Sequence, residues 1–263
     1  MSYKSRNKVY YRPDNVPFSS LSFIRTGSTV DTYTHYCYQI SVATNKAFDA
    51  VIGNTSLNST WGYIVNPNVP QQYHAPESTI LIQYVDAESL LGQALKQLLN
   101  GHEHMDMTRL AGSMTFQEIL PANYTALPAR ELRPHIDNFM KTVFLPRFSK
   151  IKLSQDERII KALDYIQQNL DKKLILADVS AFLQLSTHTF RHLFAEQTGI
   201  NFTQYLLWKR MQKVIEVTQL NNLLITKACT LYGFTDCSHF YKTFRRMFGI
   251  TPKKLFKESK IIL

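Results

Sequence analysis

The sequence predicts an α+β chain, strand-rich in its first half and all-helical in its second, on three observations. Apolar residues recur at helical spacing in two short helix-turn-helix units after Leu176. Short aromatic-rich runs of β type crowd the segment from Leu21 to Val85. Charge divides unevenly: of 30 Lys+Arg and 20 Asp+Glu in 263 residues, 18 and 9 fall from Lys150 onward, against 12 and 11 before it. A basic domain bearing paired helix-turn-helix units is what phosphate neutralisation on DNA requires.

In chain order, Lys4, Arg6, Lys8 and Arg12 with Pro13 and Pro17 make a basic, extended leader: an arm over a ligand pocket or the DNA-binding domain, or, more commonly for such a leader, a frayed terminus or a first edge strand. Five runs then read as strands: Leu21–Ile24, Tyr36–Val42, Phe48–Ile52, Trp61–Val65 and Thr79–Val85. Gly53-Asn54 and Asn66-Pro67-Asn68-Val69-Pro70 mark turns between them. Strands this short and close suggest a small barrel or sandwich.

Helical periodicity returns at Glu88–Leu99, where Leu90, Leu91, Leu95, Leu98 and Leu99 form a stripe. A second helix is expected over Arg133–Phe144, with Pro134 in its first turn and Pro146 at its end. Its apolar side holds Ile136, Phe139, Met140 and Val143. Pro146 to Lys150 reads as the linker, dividing the chain into domains 1–149 and 150–263. Ser154-x-x-Glu157 reads as a capping box opening the second domain.

The first helix-turn-helix unit takes a short helix around Ala177–Leu183 and a turn into Ser186, an N-cap. Its second helix has Phe190, Leu193 and Phe194 inward and stops at Gly199. The connector begins at Asn201-x-x-Gln204 and runs to about Thr218. It fixes the separation of two recognition helices that enter major grooves about a turn apart. The second unit runs from Leu224 through the turn Tyr232-Gly233-Phe234 to a helix capped at Asp236, with Phe240, Phe244 and Phe248 inward and Gly249 at its end. Thr251-Pro252 opens a last helix.

The run Gly233-Phe234-Thr235-Asp236-x-Ser238-x-Phe240-x-x-x-Phe244-x-x-x-Phe248-Gly249-x-Thr251-Pro252 resembles the signature of AraC/XylS-type transcriptional regulators. Leu193-Phe194-x-x-x-Thr198-Gly199 and Tyr205-Leu206-x-x-x-Arg210 fit the first half of the same domain, so the resemblance covers roughly Leu153 to Lys257. Two positions depart from it: Ala228-Cys229 replaces an Ile-Ala pair, and Leu255-Phe256 replaces an aromatic-Arg ending. The resemblance implies an N-terminal cupin-like barrel, and the segment from Tyr63 to His74 is similar to its strand-to-strand passage. It also implies that helices after the barrel make the dimer contact, which names Ile136, Phe139, Met140 and Val143.

On the first recognition helix the outward face carries Thr187, His188, Arg191, His192 and Ala195, and the resemblance places base reading at His188, Arg191 and His192. A guanidinium fork bonds guanine O6 and N7 together, which favours Arg191. On the second, Ser238, His239 and Lys242 are the base-reading candidates, with Ser238 also suited to cap the helix. Thr187, Lys209, Arg245 and Arg246 are the candidates for phosphate contacts, which set affinity and register. Arg210 suits either backbone contact or a structural role. In the barrel, Tyr36, Tyr38, Trp61, Tyr63, Tyr73 and His74 are candidates to line an effector pocket; aromatic residues also suit a filled core.

Cys37, Cys229 and Cys237 show neither a disulfide framework nor a zinc spacing. This argues against an alkylation-repair sensor, whose zinc-thiolate site needs four cysteines. His35, His74, His102 and His104 lack the clustered spacing of a catalytic metal site, so no enzyme activity, metal or cofactor is expected. With no apolar run long enough to span a bilayer, a cytoplasmic location is expected. The reading is a sequence-specific regulator whose partners are promoter DNA, RNA polymerase, a small-molecule effector and a second copy of the chain. The resemblance implies activation. A ligand-binding or interaction protein whose DNA-binding domain no longer reads a sequence is the alternative.

Overall fold

The computed structural model describes residues 8–11, 21–111, 116–148 and 153–263. Most of the basic leader lies outside them, as do Ser149 and Lys150 at the expected domain boundary. The chain divides into two compact units: Met1–Arg12 with Lys152–Thr243, and Pro13–Ile151 with Phe244–Leu263.

Strand β1 (Lys8–Tyr11) belongs to the first, mainly helical unit. The second unit is built on β2 (Leu21–Tyr33), β3 (Tyr38–Ala43), β4 (Phe48–Ile52), β5 (Thr55–Thr60), β6 (Gly62–Val65) and β7 (Gln71–Val85). These form one antiparallel sheet, curled into a nearly closed barrel. The long β7 organises it. Along one edge β7 pairs with β2, and along the other with β4 and then β3.

Five expected strands are present, two of them much longer than read. Sequence reading ended the first at Ile24, yet β2 continues to Tyr33 through a bulge at Gly27, where turn-like Thr26-Gly27-Ser28 concealed the continuity. Likewise β7 begins at Gln71, because its polar first half pairs on both sides. Strand β5, Thr-Ser-Leu-Asn-Ser-Thr, has no apolar alternation to reveal it.

Strand β3 is buried along its whole length. Its register puts Gln39 and Ser41 on the face shared with Tyr63 and Tyr84, and Tyr38, Ile40 and Val42 on the other. Both faces are covered, so the polar positions of the alternating run Tyr38-Gln39-Ile40-Ser41-Val42 are buried rather than solvated.

Helix α1 (Leu90–Leu99) is capped by the Ser89 hydroxyl and ends on left-handed Asn100. Strand β8 (His104–Asp106) then extends the sheet beside β6, and a short α2 (Thr108–Ala111) follows. Helix α3 (Ala129–Phe148) is longer than the expected Arg133–Phe144 and holds both Pro134 and Pro146 inside it. Each proline forfeits a backbone hydrogen bond. Burial of Leu132, Ile136, Phe139, Met140, Val143, Phe144 and Phe148 offsets that loss.

In the helical unit β9 (Leu153–Asp156) pairs with β1. The expected capping box from Ser154 does not form. Ser154 lies in β9, and Asp156 caps α4 (Glu157–Gln167) through the Arg158 N–H. The rest follow as expected: α5 (Leu176–Phe182), α6 (Thr187–Thr198), α7 (Phe202–Leu220), α8 (Ile225–Leu231), α9 (Cys237–Phe248) and α10 (Pro252–Glu258). The last element was not foreseen: Ser259–Ile262 forms β10 and pairs antiparallel with β2 of the barrel sheet. The division between units falls within α9.

Candidate nucleic-acid interface

Helix α6 is built as the sequence requires. Ser186 accepts from the Thr189 N–H at 3.1 Å, and Gly199 closes the other end. Phe190 and Phe194 are fully buried, and their rings meet those of Phe202 and Tyr205 on α7. That packing turns the opposite face outward: Thr187, His188, Arg191, His192 and Ala195 are all exposed. The His188 and His192 rings lie 4.5 Å apart, one helical turn along the same stripe.

Helix α7 carries the reciprocal Asn201/Gln204 capping box and buries Tyr205, Trp208, Met211, Val214 and Ile215. Lys209 is half-buried, its ammonium 5.7 Å from the Tyr205 ring centre. Arg210 is structural. Its guanidinium donates to the carbonyls of Leu170 (3.2 Å), Lys172 (2.7 Å) and Gly233 (3.3 Å), joining the start of the domain to the second turn. Partial burial lowers its pKa from the ordinary arginine value.

The second unit repeats the first. Gly233 has φ +72°, and Asp236 accepts from the His239 N–H at 2.7 Å to start α9, so the cap is Asp236 and not Ser238. Phe240 and Phe244 are fully buried. Ser238, His239, Lys242, Arg245 and Arg246 are exposed. The Arg246 guanidinium also sits 5.7 Å from the Tyr36 ring centre, and its carbonyl accepts from Thr34 N–H. Cys229 is buried, with its thiol pushed up to about 12 by desolvation, so it is chemically quiet.

Of the effector-pocket candidates, Tyr63 and Tyr73 share the barrel interior, their rings 6.1 and 6.2 Å from that of Phe48, and the others are dispersed. Tyr63 points into the barrel, whereas Tyr38 faces the other side of β3. Tyr36 and Trp61 are half-buried. His74 is exposed on the outer face, in a cleft of about 260 Å³ that Thr29, Asp31, Asp49 and Gln72 help to line. The proposed dimer stripe of α3 is a correction. Ile136, Phe139, Met140 and Val143 are at most 4% exposed within the single chain, so they offer no face to a partner.

What the sequence reading missed is the polar interior of the barrel. His35 Nδ1 meets the Cys37 carbonyl at 2.8 Å, and only a donor satisfies that contact. Nε2 is then an acceptor for Gln71 Nε2 at 2.6 Å. Gln71 Oε1 accepts from Tyr63 (2.9 Å) and Gln39 (3.1 Å), and Gln39 also donates to Ser41 (2.7 Å). Burial pushes the His35 pKa down to about 4, so the ring is neutral at pH 7. Burial likewise raises the phenols of Tyr33, Tyr63, Tyr73 and Tyr84. Polar residues at every second position were the available signal, but aromatic and apolar neighbours obscured it. Among the described residues no three His, Cys, Asp or Glu side chains converge as a metal site.

Comparison with known proteins agrees with this geometry. Residues 179–258 match a family of helix-turn-helix domains. The probable transcriptional regulator LumQ of Photobacterium leiognathi is 25% identical over 85% of this chain and 91% of its own length. The transcriptional activator FapR of Escherichia coli is 32% identical over 41% of this chain, and the match spans 40% of FapR. Crystal structures of ToxT from Vibrio cholerae share the fold. The apo form gives a TM-score of 0.58 at 12% identity, covering 93% of this chain and 99% of ToxT. The form bound to an unsaturated fatty acid gives 0.50 at 13% identity, covering 97% of each chain.

A nearly closed antiparallel barrel with a double helix-turn-helix unit defines a DNA-binding transcriptional regulator. Its helix-turn-helix domain is of the AraC/XylS type. No helix among the described residues is long and apolar enough to cross a membrane.

Proposed function

We propose that this regulator reads promoter DNA with α6 and α9 and answers a small-molecule effector held by its barrel. The observation that carries the DNA reading is the pair of outward faces. His188, Arg191 and His192 on α6, and Ser238, His239 and Lys242 on α9, stay exposed while the opposite faces are phenylalanine core. Such exposed polar side chains on a capped helix suit base edges in the major groove. Thr187, Arg245 and Arg246 take phosphate contacts. Lys209 contributes less, because its ammonium already sits over the Tyr205 ring.

In domain terms, residues 150–263 supply the DNA-binding function and residues 1–149 the effector function. The ToxT structure with a bound unsaturated fatty acid supports a ligand role for a barrel of this fold. Activation through contact with RNA polymerase, a cytoplasmic location, and assembly as a homodimer through a surface other than the α3 stripe complete the proposal. No catalytic step is assigned to it.

Selection of binding sites from random duplex DNA, with and without candidate effectors, tests it. Enrichment of one motif with two readable segments about a turn apart is the expected result. A doubled motif adds dimerisation. No enrichment under any condition would favour the interaction-protein alternative.

A further inference from the structure

One charged group inside the barrel is incompletely matched. Arg25, on β2, is only 3% exposed, and its Nη1 donates to the Tyr73 hydroxyl at 2.8 Å. Among the described residues, its Nε and Nη2 have no hydrogen-bond partner. These two nitrogens form one edge of the guanidinium, and parallel N–H bonds along such an edge match the two oxygens of a carboxylate. A buried cation with two unsatisfied donors is costly, so an occupant of that edge has a strong driving force.

The surroundings supply only a partial counter-charge. Tyr73 is a neutral phenol whose pKa burial raises, and Ser28, 3.3 Å from the same hydroxyl, is uncharged. Among the described residues, the carboxylate paired with Arg25 is Glu258, whose Oε2 lies 3.9 Å from Nη2. That distance allows ionic attraction but no hydrogen bond. Glu258 is 47% exposed, so its side chain can turn into water. It ends α10, and the next residue, Ser259, sits opposite Arg25 in the β10–β2 ladder. Arg25, Glu258 and the ladder all belong to the barrel unit.

We propose that Arg25 anchors the carboxylate of an effector, which takes both free donors and displaces Glu258 to solvent. The proposal rests on the effector-binding reading above. It adds the head-group class, the side chain that holds it and the internal side chain that yields. Glu258 is a weak built-in competitor, and its departure loosens the junction between α10 and β10.

Calorimetric titration of the full chain with benzoate and decanoate, each against its uncharged alcohol, tests this. An acid is expected to bind the wild type while its alcohol binds far more weakly. Glu258→Gln, which removes the competitor, should tighten acid binding roughly tenfold, as expected for a charge-assisted contact. Arg25→Gln should abolish the preference of acid over alcohol. Because Arg25 is buried and its loss can disturb folding, the exposed Glu258 variant decides. Acid affinity unchanged in Glu258→Gln, or no acid binding to that variant, overturns the proposal. DNA-site selection on the same preparations separates the two readings. Motif enrichment without acid binding sinks the Arg25 site alone, and acid binding through Arg25 without enrichment sinks the DNA reading alone.

Discussion

The Arg210 guanidinium lies where a side chain at position 233 would have to go. A Cβ built on Gly233 would stand 2.6 Å from Arg210 Cζ, and the guanidinium is held there by three carbonyls. Gly233 also has φ +72°, which costs a residue with a Cβ. Gly233→Ala should therefore destabilise the helical unit by about 1–3 kcal/mol. Combined with Arg210→Ala, the loss should be smaller than the sum of the two single losses, because the crowding partner is gone. Denaturant unfolding of the four proteins measures the coupling. Strict additivity would mean the crowding is relieved elsewhere.

His35 gives the barrel a pH-dependent stability. The neutral ring is required by the Gln71 contact, and burial lowers its pKa from about 6.5 in an unfolded chain to about 4. Above pH 6.5 neither state binds the proton, and the contribution is fully present. As pH falls below 6.5 the unfolded chain takes up the proton first, so stability is lost until about pH 4, where the folded ring also titrates. The total is on the order of 3 kcal/mol. His35→Asn should flatten this part of the stability profile, measured as the denaturant midpoint of the barrel transition from pH 7.5 to 4. An unchanged slope in the variant would assign the pH dependence to other groups.

These two examples show what the sequence could disclose. The helix-turn-helix units were legible almost to the residue, because their signals are local: Ser186, Asn201, Asp236 and Thr251 cap, Gly199, Gly233 and Gly249 punctuate, and phenylalanines recur every fourth position. The barrel was legible as a class but not in its strand lengths, since β2 and β7 are completed by partners distant in sequence. The polar interior depends on pairs such as His35–Gln71 and Arg25–Tyr73, separated by 36 and 48 positions, which no local pattern records. Strand β10 was missed for the same reason: Ser-Lys-Ile-Ile becomes a strand only because the β2 edge accepts it.

Phe248 ties the last turn of α9 into the barrel unit. Its ring stands 5.2 Å from Tyr84 and 5.9 Å from Phe23, both edge-on, and 4.5 Å from Phe244. Gly249 follows, and a Cβ there would fall 2.1 Å from Val30 Cγ1. Phe248→Ala should cost about 3–5 kcal/mol in the unfolding of the barrel unit. Phe248→Leu, which retains most of the volume, should cost much less. Thermal unfolding followed by near-ultraviolet circular dichroism, which reports the tyrosine packing, distinguishes them. Equal melting of both variants and wild type would place the anchoring of α9 elsewhere.

Arg191 and Arg245 should separate sequence reading from affinity. Arg191 is exposed on the outward stripe of α6, beside the His188 and His192 rings. Arg245 is exposed in the last turn of α9, where its charge also favours the helix C-terminus. Arg245 is a cleaner probe than Arg246, whose guanidinium is partly engaged by Tyr36. Arg191→Ala should lose about 1–3 kcal/mol on the selected site while leaving weak, non-specific binding nearly intact, so the specificity ratio falls. Arg245→Ala should weaken all sites alike and lower the salt dependence of binding by about one unit of slope. Fluorescence anisotropy on the selected duplex and a scrambled one, across a salt series, reads both quantities. Equal losses on both duplexes from both variants would mean that α6 does not read bases through Arg191.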